Sequence, residues 1–373
     1  MFKIRIKNKV ILYLFSLLFT LTSCFHKPKP ANTKKNISAT ESPKKTTPSA
    51  QLSNKEEHVI TIWVHGTRSS ELVHKYILKK LLFRKIGMHP AAAYEKKYNR
   101  RKIAETLAKQ KTKRFVFDNF YFFGWSGILN HKKRKAAAIK LHAAILALQQ
   151  EYFEQYGVKP KIRLITHSHG GNVALCLAKI NSAANIEKIK ICELIMLACP
   201  VQKKTCHFIN NDTFEKIYSL YSSMDIIQVM DPQGLPLLQK YKAKKPFFSQ
   251  RRFAPNKKLT QAKIKINGFG VMHVGFLLRK FITAMPYILD ELDQWQVDDA
   301  RNPHAYKKNR LLRVTYNKKG ISFNRKILKT KVIRKDQLAP TPSEALLPSA
   351  QLPHDQSAQV PKVQQVCQNE EAR

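Results

Sequence analysis

The sequence predicts an α/β fold: a mostly parallel central sheet with helices on both faces. Three observations predict it. β-rich apolar runs alternate with stretches of helical periodicity, the pattern of strands joined by helical crossovers. The runs VITIWV and IKICELIMLA are almost continuously apolar, which suits strands buried on both faces. Several runs end directly in His, Ser or Asp, so polar chemistry collects at one edge of the sheet.

The chain has 373 residues, and at about 150 residues per domain that would suggest two domains. Its ends lower the number. Residues 1–24 read as a signal segment, 25–58 as a basic linker and 331–373 as a disordered tail. Residues 59–300 read as the main domain, and 301–330 as a basic extension holding a hairpin. A hydrophobic share of 43% excludes a wholly disordered chain. No apolar run reaches the roughly 18 residues of a membrane span, which excludes a multi-pass membrane protein.

The net charge is +42. Residues 1–58 hold +8 of it and residues 327–373 hold +1, so the middle carries the excess. Such a surface attracts anionic partners, among them anionic lipid, nucleic acid and acidic polymers. A Lys-biased composition that only maintains solubility is the other reading. The six cysteines are Cys24, Cys176, Cys192, Cys199, Cys206 and Cys367. They form no CxxC pair and no zinc-type spacing with His, so no metal site and no cofactor are expected. Cys199 and Cys206 could bridge a short loop, but free buried thiols are the simpler expectation.

Lys3, Arg5, Lys7 and Lys9 form a positive leader, and Val10 to Ser23 is an apolar segment too short to span a bilayer comfortably. It ends in Leu21-Thr22-Ser23-Cys24, which resembles a bacterial lipobox. The resemblance implies that Cys24 becomes a lipid-carrying N-terminus. It also implies a cell-envelope protein held at a membrane by several acyl chains. An uncleaved N-terminal anchor is the alternative. The Pro-, Lys-, Ser- and Thr-rich residues that follow read as a flexible spacer.

The elements of the core follow in order. Val59–Val64 is a strand ending in His65-Gly66-Thr67. Residues 71–114 read as basic helices, and residues 115–123 as a strand followed by GWSG. Residues 134–156 have strong helical periodicity and stop at Gly157. Residues 161–166 form a strand running straight into His167-Ser168-His169-Gly170-Gly171, and residues 172–180 a helix. Residues 189–198 and 214–221 read as strands, the second ending in Ser222-Ser223-Met224-Asp225. Residues 231–260 read as a basic, Pro-containing loop region. Residues 263–266 are a short strand leading to Gly268-Phe269-Gly270-Val271-Met272-His273. Residues 275–294 read as helical, and residues 311–323 as a hairpin turning at Asn317 to Gly320.

The strand–THSHGG–helix segment carries the strongest chemical signal. A Ser flanked by Gly between strand and helix can occupy a sharp turn that holds its Oγ above the sheet. The helix behind it favours developing negative charge. The backbone N–H of His169 can point at an oxyanion, and the loop after the first strand offers Thr67 N–H as a second donor, with Gly66 permitting close approach. At this point the chain resembles the α/β-hydrolase fold, in its lipase and esterase-like branch, over roughly residues 59–294. The family's G-x-S-x-G stands here as Thr166-x-Ser168-x-Gly170, with Thr in place of the first Gly.

The family's chain order is Ser, then acid, then His. Of the acids after Ser168, Asp225 sits just past the end of a core strand, where the family carries its acid, with Asp231 the second candidate. Of the later histidines, His354 lies in the tail and His304 beyond the last core helix, which leaves His273. The resemblance thus implies Ser168 as nucleophile, His273 as general base and Asp225 as its orienting acid. His65, His167 and His169 are read as structural or substrate-contacting. The expected substrate is a small-molecule or lipid ester. A hydrolase fold that binds without catalysis is a second reading. A basic nucleic-acid-binding envelope protein is a third, disfavoured because no nucleic-acid motif is present and the basic residues are spread along the chain.

Overall fold

The computed structural model describes residues 58–67, 85–111, 113–229, 232–233, 247–301, 309–317 and 320–328. The stretches read as a signal segment with Cys24, as a linker (as far as residue 57) and as a tail lie outside them, as do residues 68–84, Asp231 and residues 234–246 of the basic stretches.

The first strand, β1 (Val59–Val64), alternates its side chains between two cores. Ile60, Ile62 and Val64 face one and Trp63 faces the other. This two-sided burial is what a continuous apolar strand requires. Next come β2 (Gly87–Pro90), helix α1 (Asn99–Gln110), β3 (Phe120–Gly124), helix α2 (His131–Tyr156), β4 (Lys161–His167), helix α3 (Gly170–Asn181) and β5 (Ile191–Leu197). They are followed by β6 (Phe214–Tyr221), a two-residue pair β7 (Pro232–Gln233) and β8 (Phe247–Phe248), then β9 (Leu259–Ile266), β10 (Phe269–Gly270), helix α4 (Arg279–Ala300), β11 (Asn309–Asn317) and β12 (Gly320–Leu328).

The main sheet runs β12-β11-β9-β6-β5-β4-β1-β3-β2, with β10 folded back on β9. Neighbours from β3 to β11 are parallel, whereas β2, β10 and β12 run antiparallel to their partners. Helices α2 and α3 pack against each other on one face, and α1 and α4 against each other on the other. The chain goes from β1 out to β3 and then returns to place β4 on the other side of β1, in register Val64↔Thr166. That reversal creates a switch point at the C-terminal ends of β1 and β4, the place where open parallel sheets bind ligands.

The opposite end of the sheet is closed by charge. Arg114 donates to Glu193 at 2.6 Å and to Asp293 at 2.7 Å, and Arg163 pairs with the same Glu193. Lys216 and the Tyr218 hydroxyl also reach Asp293. This half-buried network ties α4 to β4, β5 and β6, and it occupies several of the chain's few carboxylates.

Several element readings are corrected. Within the stretch read as helical from 71 to 114, the described part holds strand β2, then a 3-10 turn at Ala91–Ala93, and becomes α-helix only at Asn99. Gly87 has φ +90°, and Pro90 has no N–H to give a helix, so this segment pairs as an edge strand instead. The next strand starts at Phe120, not at residue 115. Phe115 is apolar because it is buried beneath the Arg163 guanidinium, 5.1 Å from its ring centre. Strand β9 begins four residues earlier than its apolar pattern showed, because Gln261 is buried and exchanges two 2.9 Å hydrogen bonds with the Phe253 backbone. The last core helix begins at Arg279, after a 3-10 turn, and carries Pro286 inside it. The hairpin is wider than residues 311–323, and β11 extends the sheet by pairing with β9 from Arg310↔Ala262 to Val314↔Ile266.

Candidate active site

Ser168 sits between β4 and α3 with φ +54°, a left-handed conformation that is strained for a residue with a Cβ. The turn is held from both sides. The Ser168 N–H donates to Leu197 O at 2.8 Å, and the Gly171 N–H donates to Ser168 O at 3.0 Å. Two glycines permit the packing around it. A Cβ on Gly170 would lie 2.4 Å from Val64 O, and one on Gly171 would lie 2.4 Å from Cys199 Sγ. Thr166, where the sequence departs from glycine, fits because its hydroxyl donates to Ile195 O at 3.2 Å.

The loop after β1 passes directly over this turn. A Cβ on Gly66 would stand 2.6 Å from Ser168 Cβ and 3.3 Å from Ser168 Oγ. Gly66 is therefore needed for closeness, and Thr67 is the next residue of the loop. His65 braces the same loop. Its Nε2 accepts from the Trp125 N–H at 3.0 Å, so in the neutral ring the proton is on Nδ1, which donates to Gly66 O at 2.6 Å. The rings of His65 and Trp125 stack at 5.7 Å, and the Trp125 indole donates to His65 O at 2.8 Å. His169 has its Nδ1 turned to Asn172 Nδ2 at 3.4 Å.

Asp225 follows β6 and is fully buried. Its Oδ1 accepts from the Gln228 N–H at 3.0 Å, and its Oδ2 lies 2.9 Å from His273 Nδ1. A carboxylate only accepts, so Nδ1 of a neutral His273 carries the proton and Nε2 presents a lone pair. His273 reaches this position because the chain leaves β9 through Asn267 and Gly268, both with positive φ, the geometry of a tight primed hairpin turn. A Cβ on Gly270 would meet Met224 Cγ at 2.7 Å, so the hairpin lies against the Asp225 loop. His167, next to Ser168, donates from Nε2 to His273 O at 3.0 Å, with the two rings 4.7 Å apart.

Of the residues assigned a role in the site, His65, Gly66, Thr67, Ser168, His169, Gly170, Asp225 and His273 are described and follow the ends of β1, β4, β6 and β9; Cys24 and Asp231 lie outside the described residues, as do His304 and His354. Three supporting residues carried no signal in the sequence. Trp125 orients His65. Gln228 holds Asp225 and donates to Cys199 O at 2.7 Å, and Arg251 donates to Asp225 O at 2.8 Å. The GWSG segment that contains Trp125 was the one available hint. Cys176, Cys192, Cys199 and Cys206 are free thiols. Burial pushes the Cys176 and Cys192 thiols up to about 11 and Cys199 higher still. Among the described residues, no group of three His, Cys, Asp or Glu side chains is placed to hold a metal ion. No helix among them is long and apolar enough to cross a membrane.

No protein-family model matches the chain, and no curated protein matches it. Solved structures do. An alpha-beta serine hydrolase homologue from Coxiella burnetii aligns with 61% of this chain and 84% of its own, at 12% identity and TM-score 0.31. An esterase from Rhizomucor miehei aligns with 65% of this chain and 76% of its own, at 11% identity and TM-score 0.34. The phospholipase PlaB from Legionella pneumophila aligns with 71% of this chain and 67% of its own, at 10% identity and TM-score 0.32. The chain's own topology carries the assignment: a parallel sheet with an antiparallel edge, a strained serine at the switch point, then an acid and a histidine after later strands. The chain has the α/β-hydrolase fold.

Proposed function

We propose that the chain is a membrane-tethered serine hydrolase that cleaves a carboxylic ester. The observation that carries the reading is the 2.9 Å contact between His273 Nδ1 and Asp225 Oδ2, beside a serine at φ +54°. Ser168 Oγ attacks the acyl carbonyl and gives its proton to His273 Nε2. Asp225 holds the ring in that tautomer and stabilises the imidazolium. The N–H groups of Thr67 and His169 receive the developing oxyanion, and His65 and Gly66 support the loop that presents Thr67. His273 then protonates the departing alcohol. Water repeats the sequence on the acyl-enzyme and releases the acid.

The tether is Cys24, lipidated after export, which places the domain in a bacterial cell envelope. The substrate is a small-molecule or lipid ester, and no cofactor takes part.

A fluorophosphonate probe tests the chemistry. Wild-type protein should be labelled at Ser168, and Ser168→Ala should not. In an ester panel Ser168→Ala, Asp225→Asn and His273→Ala should each lose about 10⁴-fold in turnover. Double variants should lose little more than the worst single variant, because the groups act as a unit. Absent labelling with a folded chain would leave a binding module without catalysis.

A further inference from the structure

The candidate active-site edge carries a feature that ester cleavage alone does not require. Large apolar side chains stand in solvent around it. Met224 and Ile226 flank Asp225 at 50% and 48% exposure, and Phe269, in the hairpin before His273, is 73% exposed. Leu278, at the end of the 3-10 turn that contains His273, and Ile128 and Leu129, beyond β3, are each about half exposed. Single exposed apolar residues are ordinary, but a contiguous set marks an interaction surface. Two of them share one patch: Gly270, next to Phe269, lies against Met224, beside the Asp225 that touches His273.

Among the described residues next to them in the chain, the exposed charges have one sign. Lys132 and Lys133 follow Leu129, and Arg279 and Lys280 follow Leu278, all exposed. Across residues 125–130, 222–229 and 266–280 the only carboxylate is the buried Asp225. Apolar side chains bordered by Lys and Arg fit the boundary between headgroups and acyl chains of an anionic bilayer. A soluble protein partner would offer carboxylates to the border but no continuous apolar layer.

We propose that this edge docks on an anionic lipid bilayer, with the apolar rim entering it, so that Ser168 receives an ester carried by a lipid still in the membrane. The second half of this proposal rests on the hydrolase reading above, and the first half does not.

Tryptophan fluorescence reads the docking directly. The three native tryptophans, Trp63, Trp125 and Trp295, are all buried. Phe269→Trp, in the full chain carrying Ser168→Ala, therefore adds one exposed indole at the rim. With phosphatidylcholine–phosphatidylglycerol vesicles bearing brominated acyl chains, the emission of that indole should fall by about half or more, while the parent changes little. Leu278→Trp should behave alike. Pure phosphatidylcholine or added salt should weaken the effect. An unquenched indole on vesicle-bound protein overturns the proposal, as does a concentration-dependent blue shift without lipid, which would assign the rim to a second copy of the chain. Quenching without fluorophosphonate labelling of Ser168 in the wild type would keep the docking and remove the hydrolase reading. Labelling without quenching would do the reverse.

Discussion

Gly66 and Ser168 lie so close that a side chain on the glycine has no room: its Cβ would fall 2.6 Å from Ser168 Cβ and 2.9 Å from the His167 carbonyl. One neighbour is backbone and the other is the first atom of a constrained side chain, so neither can swing aside. Both positions are fixed by β1 and β4, which pair up to Val64↔Thr166 just before the contact. Gly66→Ala must therefore displace the loop or the turn. A displacement of about 1 Å costs about 10²-fold in rate where reacting groups must align. Esterase turnover should fall by that order, and the rate of fluorophosphonate labelling should fall with it. Wild-type labelling in Gly66→Ala would show that the contact is not limiting.

His65 is expected to act through the loop rather than through a proton. Its two nitrogens are used by Gly66 O and the Trp125 N–H, which leaves none to exchange with substrate. His65→Ala should lower turnover by about tenfold to 10²-fold, because the peptide that carries Thr67 N–H loses its brace. The pH dependence of the remaining activity should keep the wild-type shape. A profile that loses one limb in His65→Ala would instead make His65 a proton-transfer group.

How much of this was legible in the sequence follows from how local each signal is. Ser168, Asp225 and His273 could be read because each follows a strand end closely, and strand ends show in the pattern of apolar residues. Gly66 and Gly170 belong to the same short loops. Trp125 and Arg251 could not be assigned their roles, because His65 and Asp225 lie far along the chain and only the folded sheet brings them near, and Gln228 carries no motif although its N–H reaches Asp225 three residues away. Strand β2 was hidden by basic residues of high helix propensity around Gly87 and Pro90. The start of β9 was hidden by a buried glutamine whose polarity is cancelled by a loop that carries no motif. The place of β11 in the sheet depends on pairing with β9, a contact that no local pattern encodes.

Cys24 gives a prediction independent of the fold. The apolar segment before it, and the Leu21-Thr22-Ser23-Cys24 sequence, motivate lipid attachment at its thiol. In cells fed a labelled fatty-acid analogue, wild-type protein should carry label. Cys24→Ala should carry none and should persist as an unprocessed precursor. Label that survives in Cys24→Ala would remove the lipoprotein reading, leaving the hydrolase reading untouched.

Asp293 should make the fold sensitive to acid. Burial alone would raise its pKa. Hydrogen bonds from Lys216 and Tyr218 and the nearby Arg114 guanidinium outweigh burial and hold the carboxyl below the usual range. A carboxyl whose folded-state pKa is depressed adds stability at pH values above its unfolded pKa of about 3.9. That stability is lost as pH falls through the folded value, where both states bind the proton. The side chain is about a third exposed, so solvent screens part of the effect. Asp293→Asn should lower Tm at pH 7, because Lys216 and one arm of Arg114 lose their carboxylate while Glu193 and Asp290 keep part of the network. The gap between wild type and variant should narrow steadily below about pH 4, as the wild-type carboxyl is neutralised too. Thermal melts from pH 7 down to pH 3 measure it. A gap that stays constant over that range would mean that Asp293 contributes through packing and neutral hydrogen bonds rather than through its charge.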